Sequence, residues 1–179
     1  MSFLKSVFSN YRTIGAISPS SPFLYKQMIS PMDLSYDIHI VEFGAGSGTF
    51  TDALLKKITL GSSLSIFEID PLFIKKLQLK YKGDNRVVVY SLGAEESTKF
   101  FEPESIDYII SSLPFGFMNS ALVFHILESA KHILKKQGKF IQFQYFLQNK
   151  KHIHQIFPKV RYRFTLLNLP PAFIYICKK

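Results

Sequence analysis

Residues 42–49 read Glu42-Phe43-Gly44-Ala45-Gly46-Ser47-Gly48-Thr49. Before them, Ile38 to Phe43 is a short apolar run that reads as a buried strand; after them, Thr49 to Lys57 reads as a helix. Alternate glycines let the backbone turn tightly between the two and let a ligand approach it closely. The spacing is Gly-x-Gly-x-Gly and lacks the third-glycine offset of the usual dinucleotide fingerprint. A second apolar run, Leu64 to Ile69, ends in Glu68-Ile69-Asp70, with Glu68 twenty-four residues after Gly44. A carboxylate at that strand end can accept from both ribose hydroxyls of a nucleoside.

Outward from this unit, strands and helices alternate. Pro71 to Tyr81 reads as a helix opening on proline, Arg86 to Tyr90 and Ile106 to Ser111 as strands. Ser120 to Lys136 reads as a long helix stopped by Gly138, and Lys139 to Phe146 as a fifth strand. Lys150 to Phe157 is a weaker helical segment. Tyr162 to Asn168 and Ala172 to Cys177 are strands joined by Leu169-Pro170-Pro171. Repeated strand–helix units imply a parallel sheet covered on both faces, and the short last connection implies an antiparallel hairpin. Upstream, Phe3, Leu4, Val7, Phe8 and Tyr11 share one face of an amphipathic helix, Ile14 to Pro22 is a loop, and Phe23 to Met32 suits another helix. Residues 1–22 are therefore expected to form a helix and covering loop, and residues 23–179 the main domain.

Composition excludes several classes. Of 179 residues, 47% are hydrophobic and 20% charged, which rules against disorder and coiled coil. The single cysteine, Cys177, forms no internal disulfide and no cysteine zinc site, so a reducing cytoplasm is expected. His152 and His154 have no third partner in the sequence pattern, and no metal is expected. The longest stretch free of charged residues, Tyr108 to Leu127, is interrupted by Ser111, Ser112, Pro114, Gly116, Asn119 and Ser120, so it reads as strand, loop and helix rather than a membrane span. Net charge is +9, and all thirteen acids precede Ser129 while eleven basic residues follow Glu128. That asymmetry suits a polyanionic partner, either nucleic acid or an anionic membrane surface.

The glycine loop paired with Glu68 resembles the class I S-adenosylmethionine-dependent methyltransferases. The resemblance implies a Rossmann-like, doubly wound α/β sheet of seven strands with an antiparallel final strand, here carrying an N-terminal amphipathic helix. It implies S-adenosyl-L-methionine as cofactor, with Glu42 supporting the methionine end over Gly44, Ala45, Gly46 and Gly48, and Glu68 with Ile69 at the ribose. Many members carry Asp near the end of the third strand, at adenine; Ser91-Leu92-Gly93-Ala94-Glu95 has none, which leaves Ser91 or backbone N–H groups beside Ala94.

After the fourth strand, Ser111-Ser112-Leu113-Pro114-Phe115 stands where adenine N-methylating enzymes read Asn-Leu-Pro-Tyr/Phe. Ser112 offers one hydroxyl in place of that amide. Together with Ile14 to Ser21, Phe140-Ile141-Gln142-Phe143-Gln144-Tyr145 and Asn168 to Phe173, this stretch is similar to the bacterial phospholipid N-methyltransferases, from about Tyr11 onward. That resemblance implies N-methylation of the phosphatidylethanolamine head group by a cytoplasmic enzyme peripheral to the inner membrane face. It makes Tyr145, Ser112 and Tyr11 candidate catalytic residues and adds Ser20, Ser21 and Ser111 to the cofactor set. The N-terminal helix suits an interfacial dock, and the faces of Tyr11, Tyr25 and Tyr145 suit a quaternary ammonium product. The alternative is an rRNA or other nucleic-acid adenine N-methyltransferase, favoured by the charge and by Leu113-Pro114-Phe115. Ribosomal adenine dimethyltransferases carry an RNA-gripping C-terminal helical domain, which is not expected here because the sequence closes just after the last strand. A module that binds a nucleoside or a membrane without catalysis is a third reading, disfavoured by the intact glycine loop and acids.

Overall fold

A computed structural model describes residues 21–147 and 150–179. The expected N-terminal helix, with Tyr11 and Ser20, lies outside them. Five helices and seven strands occur among the described residues: α1 (Pro22–Ile29), β1 (His39–Phe43), α2 (Thr49–Leu55), β2 (Ser63–Phe67), α3 (Pro71–Lys80), β3 (Val87–Tyr90), β4 (Ile106–Ser111), α4 (Ser120–Ile133), β5 (Leu134–Gln144), α5 (Lys150–Ile156), β6 (Lys159–Thr165) and β7 (Ala172–Lys178). Short 3₁₀ turns cover Ala94–Lys99 and Phe115–Phe117.

The strands form one sheet in the order β3-β2-β1-β4-β5-β7-β6. The first five are parallel, and β7 runs antiparallel to both β5 and β6. Alternation buries both faces. Ile40, Ile110 and Ile141 join Leu24, Phe50 and Leu77 in the core on one side. Their chain neighbours Val41, Ile109 and Phe140 join Val123, Leu127 and Phe157 on the other. Chain order reverses between β1 and β4, the switch point outside whose carboxyl ends ligands sit in open α/β sheets. The ladder continues past both strand ends: Gly44 N–H donates to Phe67 C=O and Ser112 N–H donates to Phe43 C=O, each at 2.9 Å.

The charge-free run from Tyr108 divides, as its composition requires, into β4, a 3₁₀ turn and α4. No helix of the described residues is long and apolar enough to cross a membrane.

Two boundaries differ from the sequence reading. The long helix ends at Ile133, not Lys136, because Leu134 is already extended (φ −65°, ψ 135°) and opens β5. Gly138 is therefore no helix stop. A Cβ there would lie 3.0 Å from Asp107 O and 2.9 Å from Lys135 O, so glycine is required by close backbone approach. The last hairpin begins earlier than expected, at Lys159, and Asn168 belongs to its tip. Its side chain is spent there, accepting from Ser21 N–H at 2.9 Å and donating to Pro170 C=O at 2.7 Å.

Gly48 N-caps α2 with φ +79°. A Cβ at this position would stand 2.7 Å from the Tyr81 hydroxyl and 2.8 Å from Leu77 Cδ2. Gly48→Ala should therefore combine left-handed strain with a clash and cost about 1–3 kcal/mol of stability. Urea unfolding reads this directly; an unshifted midpoint would show that α3 yields without cost.

Candidate active site

Glu68 follows β2 and is 3% exposed. Its carboxylate accepts three backbone N–H groups: Gly46 at 2.9 Å on Oε2, and Ile69 at 2.8 Å and Asp70 at 3.0 Å on Oε1. Oε1 is thereby filled, while Oε2 keeps one lone-pair direction. The Gly46 bond ties the glycine loop to the end of the neighbouring strand. Gly46 itself has φ +56°, and a Cβ built on it meets nothing within 4 Å, so the loop borders open space.

Glu42, the last-but-one residue of β1, is fully buried. Oε2 accepts from the Thr51 hydroxyl at 2.7 Å. Oε1 has no partner among the described residues. Burial pushes this carboxyl up to about 7; the Thr51 hydroxyl opposes the shift, and the nearby Glu68 and Asp52 charges add to it.

A cleft of about 350 Å³ opens beside the loop, walled by Phe67, Glu68, Ile69, Leu92, Ala94 and Leu113, with Met118, Leu122 and Ile126 beyond. Ala94 and Glu95 both line this cleft. The Glu95 carboxylate folds back over Gly93, at 2.4 Å from where a Cβ would stand.

A second cleft, of about 320 Å³, lies on the β4–β5 side and shares Leu113 with the first. Ser112, Pro114, Phe117, Phe143, Tyr145 and Phe146 line it. Tyr145 meets the Phe143 ring edge-on with centroids 5.7 Å apart. Ser111 is buried below, its hydroxyl accepting from Leu113 N–H at 3.4 Å. Two glutamines that the sequence reading quoted without a role hold the wall in place. Gln142 Nε2 donates to Leu113 C=O at 2.8 Å and to Phe143 C=O at 2.9 Å, and Gln144 Nε2 donates to the same Leu113 carbonyl at 2.8 Å. Both lone pairs of that carbonyl are taken.

Ser21 is placed differently from its neighbours in the expected set. Its hydroxyl caps α1, accepting from Leu24 N–H at 3.1 Å, and donates to Leu167 C=O at 2.6 Å. The structure thus brings Glu42, Gly44, Ala45, Gly46, Gly48, Glu68, Ile69, Ala94, Ser111, Ser112 and Tyr145 to the carboxyl edge of the sheet, and binds Ser21 to the β6–β7 tip on that edge.

The fold and this edge define a class I S-adenosylmethionine-dependent methyltransferase. The 1,6-didemethyltoxoflavin N1-methyltransferase of Burkholderia thailandensis, solved with S-adenosylhomocysteine, shares the fold at a TM-score of 0.75 and 13% identity over 98% of this chain and 87% of its own. A precorrin-6y C5,15-methyltransferase of Geobacter metallireducens does so at 0.72 and 14%, over 88% and 89%. Within that class the chain belongs to the family described as ribosomal RNA adenine dimethylase, whose model matches residues 19–142. An ornithine lipid N-methyltransferase of Singulisphaera acidiphila is 24% identical over 180 residues, spanning 98% of this chain and 94% of the relative. The ribosomal RNA small subunit methyltransferase A of Cupriavidus metallidurans is 30% identical over 108 residues, 59% of this chain and 37% of that protein.

The residues present fit S-adenosylmethionine. The unpartnered Glu42 Oε1 suits a cationic ligand, Glu68 Oε2 retains an acceptor site for a hydroxyl, and the apolar cleft walls suit a planar base. The cofactor supplies a methyl group already activated on a sulfonium.

The raised Glu42 group has a pH signature in the cofactor-free protein. A carboxyl lifted from 4.5 to about 7 holds a proton in the folded state that the unfolded chain has released. Its contribution to stability is present below the ordinary value and is lost as pH rises through about 7. Thermal unfolding should therefore fall between about pH 5 and about pH 8, and Glu42→Gln should flatten that decline. An equal decline in the variant would assign it to other groups.

Proposed function

We propose that the protein transfers methyl groups from S-adenosylmethionine to the primary amine of a lipid head group, phosphatidylethanolamine or an ornithine lipid. One observation carries this reading: the acceptor cleft is aromatic, lined by Phe117, Phe143, Tyr145 and Phe146. A flat exocyclic amine needs acceptors in its own plane, and at this position Ser112 offers one hydroxyl in place of an Asn side-chain amide. An alkyl ammonium that becomes quaternary needs aromatic faces instead. The match to the ornithine lipid enzyme along almost its whole length supports the same reading.

In this proposal Glu68 Oε2 accepts from one ribose hydroxyl, Ile69 and Ala94 flank the adenine, and Glu95 accepts from its amino group. Gly44 to Gly48 lie along the methionine end with Glu42 behind them. Ser111, Ser112 and Tyr145 face the acceptor; Tyr11 and Ser20, expected in the same set, lie outside the described residues. Tyr145 is the one ionisable side chain lining the acceptor cleft among the described residues. The amine therefore arrives neutral, and bulk water takes its proton. Alignment of amine with methyl carbon and exclusion of solvent supply most of the rate. Attachment is to the inner, anionic membrane face.

A second reading, methylation of adenine in ribosomal RNA, is favoured by the family match and by the +9 charge. Incubation with methyl-labelled cofactor, phosphatidylethanolamine vesicles and ribosomal RNA separates the two. Label should enter the lipid fraction; label confined to RNA would reverse the assignment. Tyr145→Ala should lower kcat on lipid by about tenfold to a hundredfold while leaving S-adenosylhomocysteine affinity unchanged. Wild-type turnover with saturating lipid would make Tyr145 a packing residue.

A further inference from the structure

The carboxyl edge of the sheet that holds the acceptor cleft carries large apolar side chains that are exposed in the described fold. Leu166, Leu167 and Leu169 on the β6–β7 tip are 73%, 58% and 72% exposed, and Phe146, Leu147 and Phe117 are 60%, 42% and 42% exposed. They come from three segments that the fold holds at one edge. β6 and β5 both point their carboxyl ends there, and Gln144 pairs with Phe173 just after the tip. Phe117 and Phe146 line the cleft itself. Ser21 ties the start of α1 to the tip through Leu167 C=O and Asn168, which adds the half-exposed Phe23.

An apolar rim of this size calls for an occupant. Charge selects it. Lys150 and Lys151 come three and four residues after Leu147, Lys26 lies on α1 and Arg161 and Arg163 on β6, while no acidic residue occurs after Glu128. Apolar tips backed by cations match the two layers of an anionic lipid interface, acyl region below and head-group phosphates above. The rim is also continuous with the cleft proposed for the head-group amine, so a lipid need not leave the bilayer to be methylated.

We infer that this edge is a membrane-docking surface in which the Leu166–Leu169 tip, Phe117, Phe146 and Leu147 enter an anionic bilayer and set the acceptor cleft against the head groups. The inference deepens the lipid reading of the site. It gives the β6–β7 tip a role separate from any played by residues 1–20.

The test uses the full chain carrying Leu166→Ser, Leu167→Ser and Leu169→Ser together, with Leu147→Ser as an independent variant on a different segment. The probes are phosphatidylcholine vesicles with and without phosphatidylglycerol, and a short-chain aminolipid dissolved as monomer. The triple variant should unfold at the wild-type temperature and bind phosphatidylglycerol vesicles about tenfold or more weakly. Leu147→Ser should weaken binding in the same direction, and both should methylate the monomeric lipid at the wild-type rate. Wild-type vesicle affinity in the triple variant would overturn the inference. So would vesicle binding that is equal in all proteins while the triple variant alone shifts from dimer to monomer in sedimentation, which would assign the rim to a second copy, or loss of RNA retention without any vesicle binding by the wild type. Should the wild type methylate no aminolipid yet bind vesicles through the tip, the docking surface stands and the proposed reaction falls.

Discussion

A single buried carboxylate holds the carboxyl edge of this sheet together. Glu68 is nearly inaccessible to solvent, and its charge is met by three backbone N–H groups instead of a cation. Hydrogen bonds to a charged group contribute roughly 1.5–3 kcal/mol each, and a buried carboxylate left without them would be strongly penalised. The Gly46 bond reaches from the end of β2 to the loop after β1, so the same interaction shapes the turn and fixes its distance from the cleft. What remains is one acceptor direction on Oε2, enough for a single hydroxyl.

From that constraint the rest of the site follows through Leu113. The side chain of Leu113 approaches Gly44 closely, its Cδ2 standing 2.8 Å from where a Cβ would be. The residue lines both clefts. Its carbonyl is pinned by Gln142 and Gln144 from β5. The two clefts are thus separated by one residue, held against the glycine loop after β1 and by two side chains of β5. A rigid partition of this kind suits a direct displacement, in which catalysis depends on alignment more than on a protein acid or base.

Much of this was legible in the sequence. Periodicity and the glycine loop located all seven strands, and the spacing of Glu68 from Gly44 placed the acid against the loop. The misreadings share a physical origin. Gly138 looked like a helix terminator because sequence alone does not distinguish a glycine needed for left-handed backbone from one needed for close approach to Asp107. Asn168 looked like a strand residue because its side-chain bonds to Ser21 and Pro170 join positions far apart in the chain or hidden in a turn. Gln142 and Gln144 lay in a stretch that carried the resemblance but had no role of their own, since that role depends on the register that sets Gln142 beside Ser111. Leu166 and Leu167 read as strand hydrophobics and Leu169 as part of the connection, until the topology put all three at the carboxyl edge of the sheet.

The account rests on Glu68 serving both the loop and the ribose, and calorimetric titration of S-adenosylhomocysteine into wild type and Glu68→Ala tests it most directly. Loss of one or more hydrogen bonds to a charged group should weaken binding by at least about tenfold. Circular dichroism on the same samples would verify that the sheet is intact. Equal affinity in a folded variant would contradict the assignment of this cleft to the cofactor.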